Sequence, residues 1–277
     1  TGQVMPCSNQ EHGCGYIDAE GKLRPTYPVF ASREFSRRIY LVAKRHNPEN
    51  MVDLHYWHPN SAQATYADLL WTGEQWHHLK YTGAKYVAGE LTPTRFRTMF
   101  MGYQIGTAME LMSYRLGSTR RVAAISLLHD VPVRLNQGGG PLPVIDKDGT
   151  LARELPQGKS EDCEYFELLP KLWKIRDDFG MTEARKLFYW KNQEYVSVQP
   201  AACYATLFVH PQNGILALVS NLSREKQEVE VQLQLDKLGQ LGARQALLVP
   251  ENQSIPLQNG KLILPLASED YQYIWIK

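Results

Sequence analysis

The chain has 277 residues, with 30 basic and 29 acidic side chains, a formal net charge of +1 and 43% hydrophobic residues. That length can bury a sizeable core and form two domains, and the balanced charge argues against a dedicated nucleic-acid binder, which carries a basic excess on one face. No apolar run reaches about eighteen residues, so no membrane span is expected, and the opening TGQVMPCSNQ lacks the charged start and apolar stretch of a signal peptide.

Residues 1–30 are rich in Gly, Pro, Asn and Cys and read as loop. Within them Cys7 and Cys14 flank His12 in CSNQEHGCG. Three readings stay open: a disulfide closing a small loop, a zinc site with one ligand missing, or two free thiols. Residues 31–46 form the first clear helix, with Phe35, Ile39, Val42 and Ala43 on one face and Asn47-Pro48 ending it. Residues 51–57 read as a buried strand, followed by an aromatic and histidine-rich loop. Residues 92–101 predict a helix with Thr92 as N-cap and Pro93 at its first position. Residues 103–115 read as a weaker helical or mixed segment, and RVAAISLL at 121–128 as a buried strand running into His129 and Asp130. A Gly/Pro loop leads to a helix over 161–179.

The texture changes near residue 190. From Tyr195 onward, runs of alternating apolar residues are separated by turn signals such as Gln212-Asn213-Gly214 and Gln258-Asn259-Gly260. This predicts an antiparallel β-sandwich over 193–277. On its last strand Tyr271, Tyr273 and Trp275 share one face, the pattern of core packing. Residues 1–192 alternate strand and helix, which implies a parallel α/β arrangement. A complete eight-stranded barrel needs roughly 200–250 residues, so the expectation is a partial TIM-type (β/α)8 barrel, its C-terminal half. Such a half barrel is expected to pack against a missing N-terminal segment or another chain, because open edges and an apolar inner face are otherwise exposed.

The densest chemistry lies in HYWHPNSAQATYADLLWTGEQWHHLKY, residues 55–81. Aromatic faces stack on sugar rings, and carboxylates move the protons of glycosidic cleavage. Glu74, between Trp71 and Trp76 and behind Gly73, is the candidate general acid. Asp68 is either a second carboxylate or a helix cap. His55 shares a strand face with Asp53 near the strand's end, where barrel enzymes keep their chemistry. Trp57 and Trp71 are candidate sugar platforms. Asp130 is favoured over His129 as a site residue beyond the 121–128 run. His12 and Tyr16 form a substrate subsite or scaffold the Cys7–Cys14 loop. His77-His78 lack helical ligand spacing, so neither a catalytic metal nor a cofactor is expected.

With these residues in view, the chain resembles the C-terminal portion of bacterial glycoside-hydrolase-like proteins. The resemblance rests on CSNQEHGCGYIDAEG at 7–21, REFSRRIY at 33–40, VDLHYW, YADLLWTGEQ at 66–75, LLHDVPV at 127–133 and the terminal sandwich. It implies a (β/α)8 barrel followed by an all-β domain, a secreted or periplasmic setting, and hydrolysis of O-glycosyl bonds in an oligo- or polysaccharide. A non-catalytic carbohydrate-binding or scaffold protein on the same architecture is the alternative. In such enzymes one catalytic carboxylate often lies on an earlier barrel strand.

Overall fold

The computed structural model describes residues 5–55, 61–73, 87–101, 106–112, 119–134 and 161–277. The chain divides into two compact units, residues 1–75 with 98–112, and residues 76–97 with 113–277.

In the first unit a 3₁₀ turn, Gln10–His12, precedes a small antiparallel hairpin of β1 (Tyr16–Ile17) and β2 (Leu23–Arg24). Helix α1 (Val29–His46) follows, with Lys44, Arg45 and His46 in its last turn opposite the helix dipole. Then come β3 (Asp53–His55), α2 (Ser61–Ala64) and β4 (Leu69–Thr72). Between β4 and β5 in the chain come α3 (Val87–Glu90), which belongs to the second unit, and α4 (Pro93–Phe100), most of which does; β5 (Ala108–Met112) returns to the first unit. Thr92 caps α4 as the sequence predicts, its Oγ1 accepting from the Arg95 N–H at 3.3 Å.

Strands β3, β4 and β5 form a parallel ladder, with Asp53 opposite Leu69 and Leu69 opposite Ala108. Because strand side chains alternate, the register sorts them onto two faces. Leu70, Met109 and Leu111 lie buried on one. Asp53, His55, Trp71 and Glu110 fall on the other.

Helix α1 does not pack as its apolar stripe predicts. Phe35, Ile39 and Val42 are 57%, 40% and 68% exposed, and Ser36 is its buried residue. The surface it meets is polar and aromatic. Arg33 donates to the Tyr66 hydroxyl at 3.1 Å and lies over the Tyr66 ring. Lys44 pairs with Asp68 at 3.0 Å. The side chains offered by Tyr66 and Asp68 therefore select the helix face that carries cations.

The second unit contains α5 (Thr119–Ser126), running directly into a 3₁₀ turn, Leu127–His129, then β6 (Val133–Arg134) and α6 (Glu161–Phe179). Nine strands follow: β7 (Arg185–Leu187), β8 (Val196–Gln199), β9 (Cys203–His210), β10 (Gly214–Asn221), β11 (Gln227–Leu233), β12 (Ala246–Val249), β13 (Gln253–Ile255), β14 (Lys261–Leu266) and β15 (Asp270–Ile276). They form a six-stranded sheet, β13-β12-β15-β10-β9-β7, and a three-stranded sheet, β14-β11-β8. All the pairings are antiparallel. The expected sandwich is present, and β7 joins it from upstream of residue 193.

Its core lies between the sheets, where Leu207, Val209, Ile215, Ala217, Val219, Ile274 and Ile276 meet Val229, Val231, Leu262 and Leu264. The other face of the larger sheet is buried too, under α5 and α6. Thr206 Oγ1 donates to the Leu128 carbonyl at 2.7 Å, and Ser220 Oγ donates to the Ala124 carbonyl at 2.7 Å. Arg176 of α6 donates to the Tyr273 hydroxyl, and Trp275 meets Phe179 edge-on. Tyr271 and Tyr273 are buried, so this strand face serves packing.

Three sequence-based expectations are revised. No (β/α)8 barrel is present among the described residues, whose parallel strands β3, β4 and β5 form a short ladder. Residues 121–128, expected as a parallel strand, are helix and 3₁₀ turn. Every residue from Val122 to His129 is buried, so the segment has no polar face from which a period could be read. Residues 103–115, read as helical or mixed, contain β5.

Thr206 and Ser220 tie strand hydroxyls to carbonyls of the helical segment inside the core. Thr206→Val and Ser220→Ala are each expected to cost about 1 kcal/mol. Urea unfolding followed by far-UV circular dichroism checks this. Unchanged midpoints in both variants would show that the helical segment is held by apolar packing alone.

Candidate active site

The polar face of the parallel ladder gathers the groups that can do chemistry. Register places His55 beside Trp71 and Trp71 beside Glu110, one row across three strands. Neighbouring strands lie about 4.8 Å apart, so His55 and Glu110 flank Trp71 within about 10 Å of each other. The His55 and Trp71 ring centroids are 4.7 Å apart with planes tilted by 38°. Asp53 precedes His55 by two residues and shares its face. These residues are half-buried, and Asp53 Oδ1, His55 Nε2, Trp71 Nε1 and Glu110 Oε2 are out of contact with solvent. The row lies at the carboxyl end of β3 and one residue short of it in β4, the end where parallel sheets with helical crossovers hold their ligands, and at the middle of β5. With Asp53 on the same face, it brings together two carboxyl groups, an imidazole and an indole, groups able to stack on a sugar ring and to move protons.

Of the residues singled out in the sequence, His55 and Trp71 meet in this row. Glu74 and Trp57 lie outside the described residues. Asp68 sits immediately before β4, where its Oδ2 accepts from the Val52 N–H at 2.8 Å and pairs with Lys44. Partial burial alone would raise its carboxyl pKa, but the Val52 amide and the Lys44 ammonium outweigh it and hold the group below the usual carboxylate range. Asp68 thus fastens the start of β3 to α1; it caps no helix.

His12 and Tyr16 lie in the amino-terminal segment, the latter 55% exposed. Asp130 belongs to the second unit. Its backbone is left-handed, with φ of 56°, and its carboxylate takes Arg176 at 2.6 Å on one oxygen and Lys186 on the other. Those two cations belong to α6 and the edge strand β7, so Asp130 joins these two elements. His129 is more deeply placed. One ring nitrogen lies 2.7 Å from the Ile125 carbonyl and the other 3.0 Å from the Tyr189 hydroxyl. Phe96 and Trp190 stack on the ring. Burial, with the positive charge of Arg97 adding to it, pushes its pKa down to about 4 against the opposing pull of the Ile125 carbonyl.

Sequence reasoning missed Glu110. The signal was the alternation of AMELM at 108–112, in which glutamate takes the single polar slot of a short apolar run.

Comparison with known families and structures bears on the chain's kinship. Residues 170–261, about a third of the chain, match the family model of the glycoside hydrolase 123 C-terminal domain. This meets the expected likeness to the C-terminal portion of a glycoside-hydrolase protein. No curated protein matches the sequence. Among solved structures the chain is similar to a GH27 β-L-arabinopyranosidase from Geobacillus stearothermophilus, at 10% identity over 88% of this chain and 54% of that one, with a TM-score of 0.51. A cyclomaltodextrinase is similar at 12% identity over 88% of this chain and 43% of the other, also with a TM-score of 0.51. The chain thus spans about half the length of these two proteins, and at such identities the likeness bears on fold alone.

The buried His129 makes a prediction about pH. The unfolded chain binds this proton near pH 6.5, the folded protein only near pH 4. The unfolded state therefore holds more protons in that window, and stability falls as pH drops from about 6.5 to 4. The loss from this group is on the order of 3 kcal/mol, and His129→Gln should remove it. Urea unfolding of both proteins at pH 7 and pH 4.5 measures the difference. An equal loss in the two would mean that His129 is not the group responsible.

Proposed function

We propose that this chain is the C-terminal portion of a glycoside hydrolase that cleaves O-glycosyl bonds of an oligo- or polysaccharide, with the polar face of the β3-β4-β5 ladder forming one wall of its active site. The observation that carries this reading is the row His55–Trp71–Glu110 across three parallel strands, with Asp53 on the same face. The match of residues 170–261 to a glycoside hydrolase C-terminal domain supports it.

Glycosidic cleavage uses two carboxyl groups, one donating a proton to the leaving oxygen and one acting as base or nucleophile. Glu74, two residues past the end of β4, and Glu110 take these roles in our reading. Glu110 replaces Asp68, whose oxygen is committed to Val52 and Lys44. Trp71, with Trp57, offers a ring on which a sugar stacks, and His55 hydrogen-bonds its hydroxyls.

A carboxyl group acting as general acid or base contributes about 10²–10⁴-fold in rate. Glu110→Gln and Glu74→Gln are therefore expected to lower kcat by that factor on whichever aryl glycoside or natural oligosaccharide the protein turns over, with melting temperature unchanged. Asp68→Asn is expected to do the reverse, lowering the melting temperature and leaving kcat nearly intact. Full activity in Glu110→Gln would remove this residue from the mechanism. Binding without turnover, abolished by Trp71→Ala, would favour the non-catalytic carbohydrate-binding reading.

A further inference from the structure

The amino-terminal segment presents a cluster that the proposed chemistry does not use. Cys7, His12 and Cys14 converge so that one donor atom from each lies within 4.8 Å of the others. Cys7 Sγ and His12 Nδ1 are 3.8 Å apart. With Zn–S near 2.3 Å and Zn–N near 2.0–2.1 Å, a tetrahedral centre needs a sulfur-to-nitrogen separation of about 3.6 Å, so the ring and thiol stand a few tenths of an ångström from that spacing. Both thiols are free.

The loop holds the three donors in place. Cys7 is fixed by a two-way backbone bridge to Thr26, at 2.9 Å in each direction. Asn9 organises the turn: its Oδ1 accepts from the Glu11 N–H and its carbonyl accepts from the Cys14 N–H. Gly13, with φ of 68°, then reverses the chain so that Cys14 returns beneath His12. The Asn9 N–H donates to Cys7 Sγ at 3.4 Å, the kind of backbone donor that stabilises a metal-bound thiolate. On the far side of the ring, the Asn9 side-chain amide nitrogen lies 3.3 Å from His12 Nε2; coordination through Nδ1 places the ring hydrogen on Nε2, so this donor contact opens when the metal binds.

A second observation points the same way. From Met5 to Tyr27, Cys14 is the only residue that is buried. A segment with no apolar core of its own is held by a staple, either a disulfide or a metal. A disulfide would engage Cys7 and Cys14 and leave His12 no part. A metal accounts for all three residues and for the sulfur-directed amide.

We propose that Cys7, His12 and Cys14 bind a thiophilic divalent cation of the zinc class, which staples the amino-terminal segment. The three protein donors leave a fourth position for water or an incoming ligand. Binding turns both thiols into thiolates and releases their protons to solvent. This inference is independent of the glycosidase reading, since it concerns neither the ladder nor its carboxylates.

The test uses the whole chain, stripped of metal under reducing conditions and titrated with zinc chloride, then with cobalt(II) as a spectroscopic substitute. Elemental analysis should find a single equivalent of zinc after dialysis. Cobalt should give the intense near-ultraviolet bands of thiolate coordination and the visible bands of a tetrahedral centre. Cys7→Ser, His12→Ala and Cys14→Ser should each weaken binding by at least about tenfold, while His46→Ala should not. Far-UV circular dichroism and the melting of the sandwich report folding, and should a variant fail to fold, the cobalt spectrum of the unaltered chain decides. Absence of stoichiometric zinc and of the thiolate bands would overturn the proposal. So would peptide mapping that finds Cys7 and Cys14 joined in protein kept in zinc without reductant.

Discussion

The register of three short parallel strands governs what the first unit can present. Side chains alternate along a strand, so aligned strands assign every residue to one face or the other. Here the alignment sends Leu70, Met109 and Leu111 to an apolar face and Asp53, His55, Trp71 and Glu110 to a polar one. A slip of one residue in β3 or β5 would exchange those sets, driving a carboxylate or an imidazole into hydrocarbon. The apolar face thus fixes the register, and the register assembles the polar row. Asp68 reinforces it from the edge by holding the Val52 amide and Lys44 just where β3 and β4 begin.

The second unit solves a different problem, that of a sheet buried on both faces. Every residue of β10 is buried, with one side in the sandwich core and the other under helices. Polar groups in such a place need partners. Ser220 and Thr206 find theirs in backbone carbonyls of the helical segment, and Arg176 finds Asp130 and the Tyr273 hydroxyl. His129 remains neutral among Phe96, Tyr189 and Trp190. Asp130 and His129, though rich in chemical potential as residue types, are explained by these packing duties.

The two-residue period of the sandwich made it legible in the sequence, because β11 and β14 keep one face wet and their turns need left-handed residues. Gly214 and Gly260, with φ of 83° and 79°, sit where the sequence signals a reversal. The segment 121–128 was not legible, because full burial erases the contrast between helix and strand periods. The apolar stripe of α1 was legible as a stripe, but the face the helix turns to its own unit depended on Tyr66 and Asp68, distant in sequence. His55 and Trp71 were visible as unusual residues at a strand's end. Glu110 was hidden in a segment read as helical or mixed, and the joining of His55, Trp71 and Glu110 exists only in the register. The Cys7–His12–Cys14 group was visible as a spacing, but its convergence depends on the left-handed turn at Gly13.

The central claim is that a sugar binds against the row His55–Trp71–Glu110. The most direct measurement is a titration of an oligosaccharide panel followed by NMR, observing the Trp71 indole N–H signal assigned through Trp71→Phe. The account predicts that a bound sugar moves this signal saturably, and that Glu110→Gln still shows the shift while cleavage is lost. A sugar that binds or is cleaved while the Trp71 signal stays fixed would contradict it.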